Sequence, residues 1–144
     1  MREVFRAMSS FETAFEKVYR ITLNEAMILC ILKDATERMT ATNLSKSTDL
    51  SPSHTSKMLR ILEEKGLITR QQDMEDRRVW RVYPTEKMQE LLPCVRSVMR
   101  EWNEYLLEEL SEEERETLVQ LLEKVTKRAN EAAQNTLSGR DKQP

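Results

Sequence analysis

Leu50-Ser-Pro-Ser-His-Thr-Ser-Lys-Met-Leu-Arg-Ile-Leu-Glu-Glu-Lys-Gly-Leu-Ile-Thr-Arg70 decides the fold. The segment opens on a helix start signal. The Ser51 hydroxyl caps free backbone N–H groups, and Pro52, which has no N–H to satisfy, suits the first helical position. The helix is expected to run from there to Lys65, where Gly66 supplies the left-handed residue that ends it. At about 100° per residue, Thr55, Met58, Leu59 and Leu62 gather on one side. Ser53, Ser56, Lys57 and Arg60 lie opposite, with His54 flanking them. One packed face and one face of short polar and basic side chains is what a helix needs to rest on a scaffold and reach base edges and phosphates. An ordinary solvated surface helix has the same outline, so the neighbouring segments must arbitrate.

After Gly66 the residue period changes. Leu67-Ile-Thr-Arg70 and Val79-Trp-Arg-Val-Tyr83 read as strands joined by a polar loop over residues 71–78, which makes a β-hairpin with the charged tip Asp73-Met-Glu-Asp-Arg-Arg78. An arginine at such a tip suits a narrow, electronegative minor groove, and a nearby aspartate holds the guanidinium in its fork geometry. The plainer alternative is a surface ion-pair turn worth about 0–1 kcal/mol. Upstream, Thr40 caps a short helix over residues 41–47, and Ser47-Thr-Asp-Leu50 reads as a tight turn. The stretch from Met39 to Thr85 is therefore a helix-turn-helix with a hairpin wing.

The flanks are helical. Val4, Phe5, Met8, Phe11, Phe15, Val18 and Tyr19 recur at three- and four-residue intervals and describe an amphipathic first helix. Thr22-Leu-Asn-Glu25 is a capping box opening an apolar second helix through Leu32. Thr85 caps a fifth helix carrying Met88, Leu91, Leu92, Val95, Val98, Met99, Trp102, Tyr105, Leu106 and Leu110, with Pro93 as a point of kinking. Ser111, followed by three glutamates, caps a sixth helix with Leu118, Leu121, Leu122 and Val125 on one face. The organisation expected is a dimerisation helix and buried second helix over 1–36, a DNA-binding lobe over 37–85, dimerisation helices over 86–134 and a flexible tail over 135–144. The fold class is mostly α with a small β-hairpin wing: a winged helix-turn-helix plus a helical dimerisation region.

Composition narrows the function. The chain has 144 residues, 33% charged and 39% hydrophobic, with two glycines and four prolines, which is typical of a helix-rich folded chain. No apolar run approaches the roughly 18 residues of a membrane span. The first ten residues lack the apolar core of a signal peptide, so a cytoplasmic protein is expected. Net charge is −2, yet residues 37–84 hold nine Lys or Arg against seven acids, an asymmetry that permits DNA binding without demonstrating it. His54 is the only histidine, and Cys30 and Cys94 are not paired at a metal-binding spacing. Free thiols among apolar neighbours, no structural metal and no cofactor are the expectation. With no glycine-rich phosphate loop and no nucleophile–base pattern, an enzyme is disfavoured.

The helix 50–59, the phrase Leu62-Glu-Glu-Lys-Gly-Leu-Ile-Thr-Arg70 and the wing Asp73-Met-Glu-Asp-Arg-Arg78 together resemble the MarR-type regulators, and the order of all six helices agrees. By position, the resemblance implies that Ser53, His54, Ser56 and Lys57 read the major groove. It also implies that Arg78, with Arg77 beside it, enters the minor groove and that Asp76 orients the arginine. Ser51 at the helix start and Arg60 on the polar face complete the DNA-binding set. Lys57 stands where arginine is common in the family, which alters base preference because lysine lacks the bidentate fork. Lys87 replaces a glycine frequent at the start of the following helix.

The first, fifth and sixth helices bear more apolar surface than one winged lobe covers, so a homodimer on a pseudo-palindromic duplex operator is expected. The resemblance implies a small aromatic effector, for which Met27, Met88, Met99 and Trp102 are the candidate pocket, although methionine at helical spacing is more often core packing. Repression is the working expectation. Two alternatives stay open: an oxidant sensor acting through Cys30 or Cys94, and a winged-helix interaction module that has lost DNA contact.

Overall fold

Side-chain hydroxyls begin five of the described helices, and Thr85 accepts from the Met88 amide at 3.3 Å ahead of the fifth. Thr22 Oγ1 accepts from the Glu25 amide at 3.1 Å, and Glu25 Oε2 accepts from the Thr22 amide at 3.1 Å. Ser111 and Glu114 repeat this reciprocal box at 3.3 and 2.8 Å. Thr40 accepts from the Asn43 amide at 3.2 Å, and Ser51 from the His54 amide at 3.2 Å. Each contact satisfies a backbone donor that the first helical turn leaves without a partner.

The computed structural model describes residues 2–48 and 50–140, with side chains through residue 135. The elements run α1 (Arg2–Tyr19), α2 (Leu23–Asp34), β1 (Met39–Thr40), α3 (Ala41–Thr48), α4 (Pro52–Glu64), β2 (Ile68–Gln72), β3 (Trp80–Pro84), α5 (Glu86–Leu107) and α6 (Glu112–Arg140). This is the expected winged helix-turn-helix, mostly helical with a small sheet. Asp49, in the expected turn, and residues 141–144 of the expected tail lie outside the described residues. α6 continues to Arg140, past the expected tail start at Asn135. Pro93 lies inside α5, which is assigned as one helix throughout.

The sheet has three antiparallel strands in the order β1-β3-β2. The hairpin pairs Ile68 with Pro84, Arg70 with Val82 and Gln72 with Trp80. β1 is an addition to the sequence reading: Met39 pairs with Val82 and Thr40 with Arg81. Two residues carry no period, so only a partner some forty positions away reveals them as a strand.

The chain divides into two units, Met1–Met99 and Arg100–Pro144. In the first, Ile28, Leu29, Leu44, Leu59, Leu62, Ile68, Met88 and Val95 are fully buried in one core. Each such side chain contributes about 1.5–3 kcal/mol by leaving water. In the second, Arg115 donates to the Leu107 carbonyl at 2.6 Å and the Leu110 carbonyl at 3.0 Å, satisfying acceptors left by the end of α5. No helix among the described residues is long and apolar enough to cross a membrane.

Candidate nucleic-acid interface

α4 is built as a two-sided element. Thr55, Met58, Leu59 and Leu62 are buried on its scaffold side. Ser51, Ser53, His54, Ser56, Lys57 and Arg60 are all exposed. The structure therefore brings all six α4 candidates onto one exposed surface, as the 3.6-residue period requires. Ser51 has a double position, since its oxygen already caps the His54 amide while its hydroxyl proton stays free to donate. Arg60 donates to Glu64 at 2.8 Å one turn along, and both side chains remain largely exposed.

Both ends of α4 are held by other elements. Ser45 of α3 donates to the Leu50 carbonyl at 2.6 Å, fixing the approach to the helix. At the far end, Lys65 Nζ donates to Glu25 Oε2 at 2.6 Å, and Lys87 Nζ donates to the Lys65 carbonyl at 2.7 Å. Thr85 Oγ1 donates to the Gly66 carbonyl at 2.8 Å, and Gly66 takes the left-handed φ of 71° that ends the helix. Arg70 Nε donates to Glu63 at 2.9 Å and ties β2 to α4; that bond also lowers the Glu63 carboxyl from its ordinary value. α4 is thus clamped from α2, from β2 and from the start of α5.

The wing divides its arginines by role. Asp73 Oδ1 accepts from the amides of Glu75 at 2.9 Å and Asp76 at 3.1 Å, which folds the tip, while Oδ2 accepts from Arg81. The Arg81 bond first, and the two amides after it, bring the Asp73 carboxyl down to about 2. Arg81 also donates to the Arg38 carbonyl at 3.0 Å and so belongs to the base of the wing. Arg78 is different. Its Nε and Nη2 each donate to Asp76 at 3.0 Å, one to either oxygen, and its side chain is 90% exposed. That fork lowers the Asp76 carboxyl and raises the Arg78 guanidinium, so both are charged at neutral pH. The Arg77 guanidinium has no partner among the described residues, and its carbonyl accepts from Gln72 at 3.2 Å.

Sequence reasoning separated neither Arg81 from Arg78 nor Lys65 and Lys87 from surface lysines. The hairpin register carried a usable signal for the first. Pairing Gln71 with Arg81 sets residue 73 diagonally beside residue 81, within reach of a long side chain.

The four pocket candidates differ in burial. Met88 is wholly buried in the core, Met99 packs at its margin and Met27 is half-buried; Trp102 is half-buried within the second unit. A cleft of about 600 Å³ lies elsewhere in the first unit, lined by Tyr19, Arg20, Lys65, Leu67, Lys87, Cys94 and their neighbours. Arg20, on its rim, has a positive φ of 59°, a conformation costly for a side chain of its kind. Both cysteines are free thiols, but the apolar setting expected for both holds only for Cys30, which packs at the core margin. Cys94 is exposed because the core stripe of α5 is Met88, Leu92 and Val95, and residue 94 points about 100° away from Val95.

Residues 21–80 match the model of the MarR family. Among solved structures, the chain is 27% identical to a MarR/EmrR family transcriptional regulator from Acinetobacter sp. ADP1, over 90% of this chain and 91% of that one, with a TM-score of 0.74. It is 26% identical to MepR of S. aureus in a DNA complex, over 88% of this chain and 96% of that one, with a TM-score of 0.77. A MarR protein of Peptoclostridium difficile, 21% identical over 90% and 84% of the two chains, shares the fold at a TM-score of 0.74.

Proposed function

We propose that this chain, a winged-helix protein of the MarR type, is a dimeric sequence-specific DNA-binding regulator that represses transcription from a pseudo-palindromic operator. The observation that carries the reading is Arg78, almost fully exposed at the wing tip yet held in a two-bond fork by Asp76. A guanidinium ordered in advance loses less side-chain entropy when it enters a minor groove. Ser53, His54, Ser56 and Lys57, on the exposed face of α4, face the major groove, and Ser51, Arg60 and Arg77 meet phosphates. The solved MepR–DNA complex supports DNA as the partner.

Dimerisation is supported by apolar surface that no element of its own unit covers. Phe5 is 76% exposed on α1, with Val4 and Met8 beside it; Tyr105, Val119, Leu122 and Val125 are exposed on α5 and α6. Such surface marks an interface. A twofold dimer sets two α4 helices about 34–36 Å apart, the spacing of successive major grooves. Repression follows from occupancy, since tight binding suffices to exclude polymerase. The cleft lined by Tyr19, Leu67, Leu91 and Cys94 is the candidate site for a small effector with an apolar body.

Genomic footprinting with the purified full chain tests the reading. Protected sites with two inverted half-sites about one helical turn apart are expected. Protection without inverted repeats counts against the dimer, and no protection at any site rejects DNA binding in favour of an interaction module. A reporter downstream of a protected site should rise when the gene is deleted; a fall rejects repression.

A further inference from the structure

Trp80 is placed where a surface tryptophan calls for a partner. Val82, two residues on along β3, is buried, so Trp80 projects to the same side of the sheet. Their partners across the hairpin, Arg70 and Gln72, share that side. This is the side turned toward α4, because Arg70 bonds Glu63 and β2 packs on that helix. Trp80 therefore extends the core-facing side of the hairpin beyond the end of the core, and 52% of it is exposed. On α4, Ser56 lies seven residues before Glu63 and so within about 20° of the same direction. The indole consequently borders the saddle between the exposed face of α4 and the arginine tip. Its Nε1–H has no hydrogen-bond partner among the described residues.

A duplex with α4 in its major groove and the wing in the next minor groove runs one sugar–phosphate strand through this saddle, since backbone is what separates adjacent grooves. We propose that Trp80 is a DNA-contacting residue that lies against this strand, its ring on a deoxyribose face and its Nε1–H donating to a phosphate oxygen. The proposal rests on the DNA-binding reading and adds to it a contact outside both the polar face of α4 and the arginine tip. The strand alternates apolar sugar and anionic phosphate, and tryptophan offers an apolar body with a single polar donor. A contact of this kind carries no base information; it sets the angle between helix and wing on the duplex and leaves sequence reading to α4.

The probe is the duplex that the full-chain protein selects from a randomised library. The emission of the wild type minus that of Trp80→Phe isolates the indole at position 80 without altering Trp102. That difference is expected to change on titration with the duplex, with the same midpoint as fluorescence anisotropy of the labelled DNA. Trp80→Ala is expected to weaken binding about tenfold, equivalent to about 1.4 kcal/mol, at an unchanged salt slope because no charge is lost. Binding seen by anisotropy without a Trp80-dependent emission change, or Trp80→Ala within about twofold of wild type, overturns the contact and leaves DNA binding standing. Failure of the wild type to bind any duplex overturns the DNA-binding reading and this contact together.

Discussion

Lys65 at the end of α4 donates to Glu25 in the first turn of α2 at 2.6 Å, and the same carboxylate oxygen accepts the Thr22 amide. One acid therefore closes the capping box of α2 and anchors the C-terminal end of α4. The Glu25 side chain is only 4% exposed, whereas that of Lys65 is 30% exposed.

This asymmetry predicts unequal costs. Lys65→Met leaves a buried carboxylate with only its amide donor and should lower stability by about 2–3 kcal/mol. Glu25→Gln keeps an acceptor for the capping box and leaves a lysine that water reaches, so it should cost about 1 kcal/mol. Urea unfolding of both variants decides the order, and a larger loss for Glu25→Gln contradicts the account.

Arg78→Ala should barely move the unfolding midpoint, since the side chain is 90% exposed and its only tie, the fork with Asp76, is a surface ion pair. Its effect belongs to DNA: affinity should fall by about 1–3 kcal/mol and the salt slope by about one unit. Arg81→Ala should do the opposite, loosening the wing base that it ties to Asp73 and to the Arg38 carbonyl. Affinity measured across a salt series, with thermal unfolding alongside, separates the two arginines. An unchanged slope for Arg78→Ala removes its assigned role.

Acid should loosen the wing from the tip. The Asp73 carboxyl is lowered from 3.8 to about 2 by its bond to Arg81, so in the folded wing it stays ionised where the unfolded chain is already taking up protons. Its contribution is fully present above pH 3.8 and is lost as pH falls toward about 2. The lowered carboxyls of Asp76, Glu63 and Glu114 act in the same direction. Amide exchange at Glu75 and Asp76, both of which donate to Asp73, should speed up across that window. In Asp73→Asn this dependence should be blunted; an identical profile in the variant points to another acid.

Thr55 is buried on the scaffold side of α4, and its hydroxyl has no hydrogen-bond partner among the described residues. Thr55→Val keeps the shape and removes a polar group that burial disfavours, so stability should rise by about 1 kcal/mol. A lower melting temperature, with the fold intact by circular dichroism, reveals a partner for the hydroxyl.

Local chemistry was legible before any coordinates. The box at Thr22, the Ser111 cap, the Ser51-Pro52 start, the Gly66 stop and the polar face from Ser53 to Arg60 each involve residues within a few positions of one another. Helical period and backbone valence therefore determine them directly. Tertiary structure alone decided the rest. The pairing of β1 with β3 and the separation of Arg81 from Arg78 depend on how distant elements meet. Lys65 and Glu25 stand 40 residues apart, and nothing within either segment distinguishes that lysine from a solvated one. A residue's partner within one helical turn follows from the backbone, whereas a partner across the fold exists only once the core has packed and brought the two ends together.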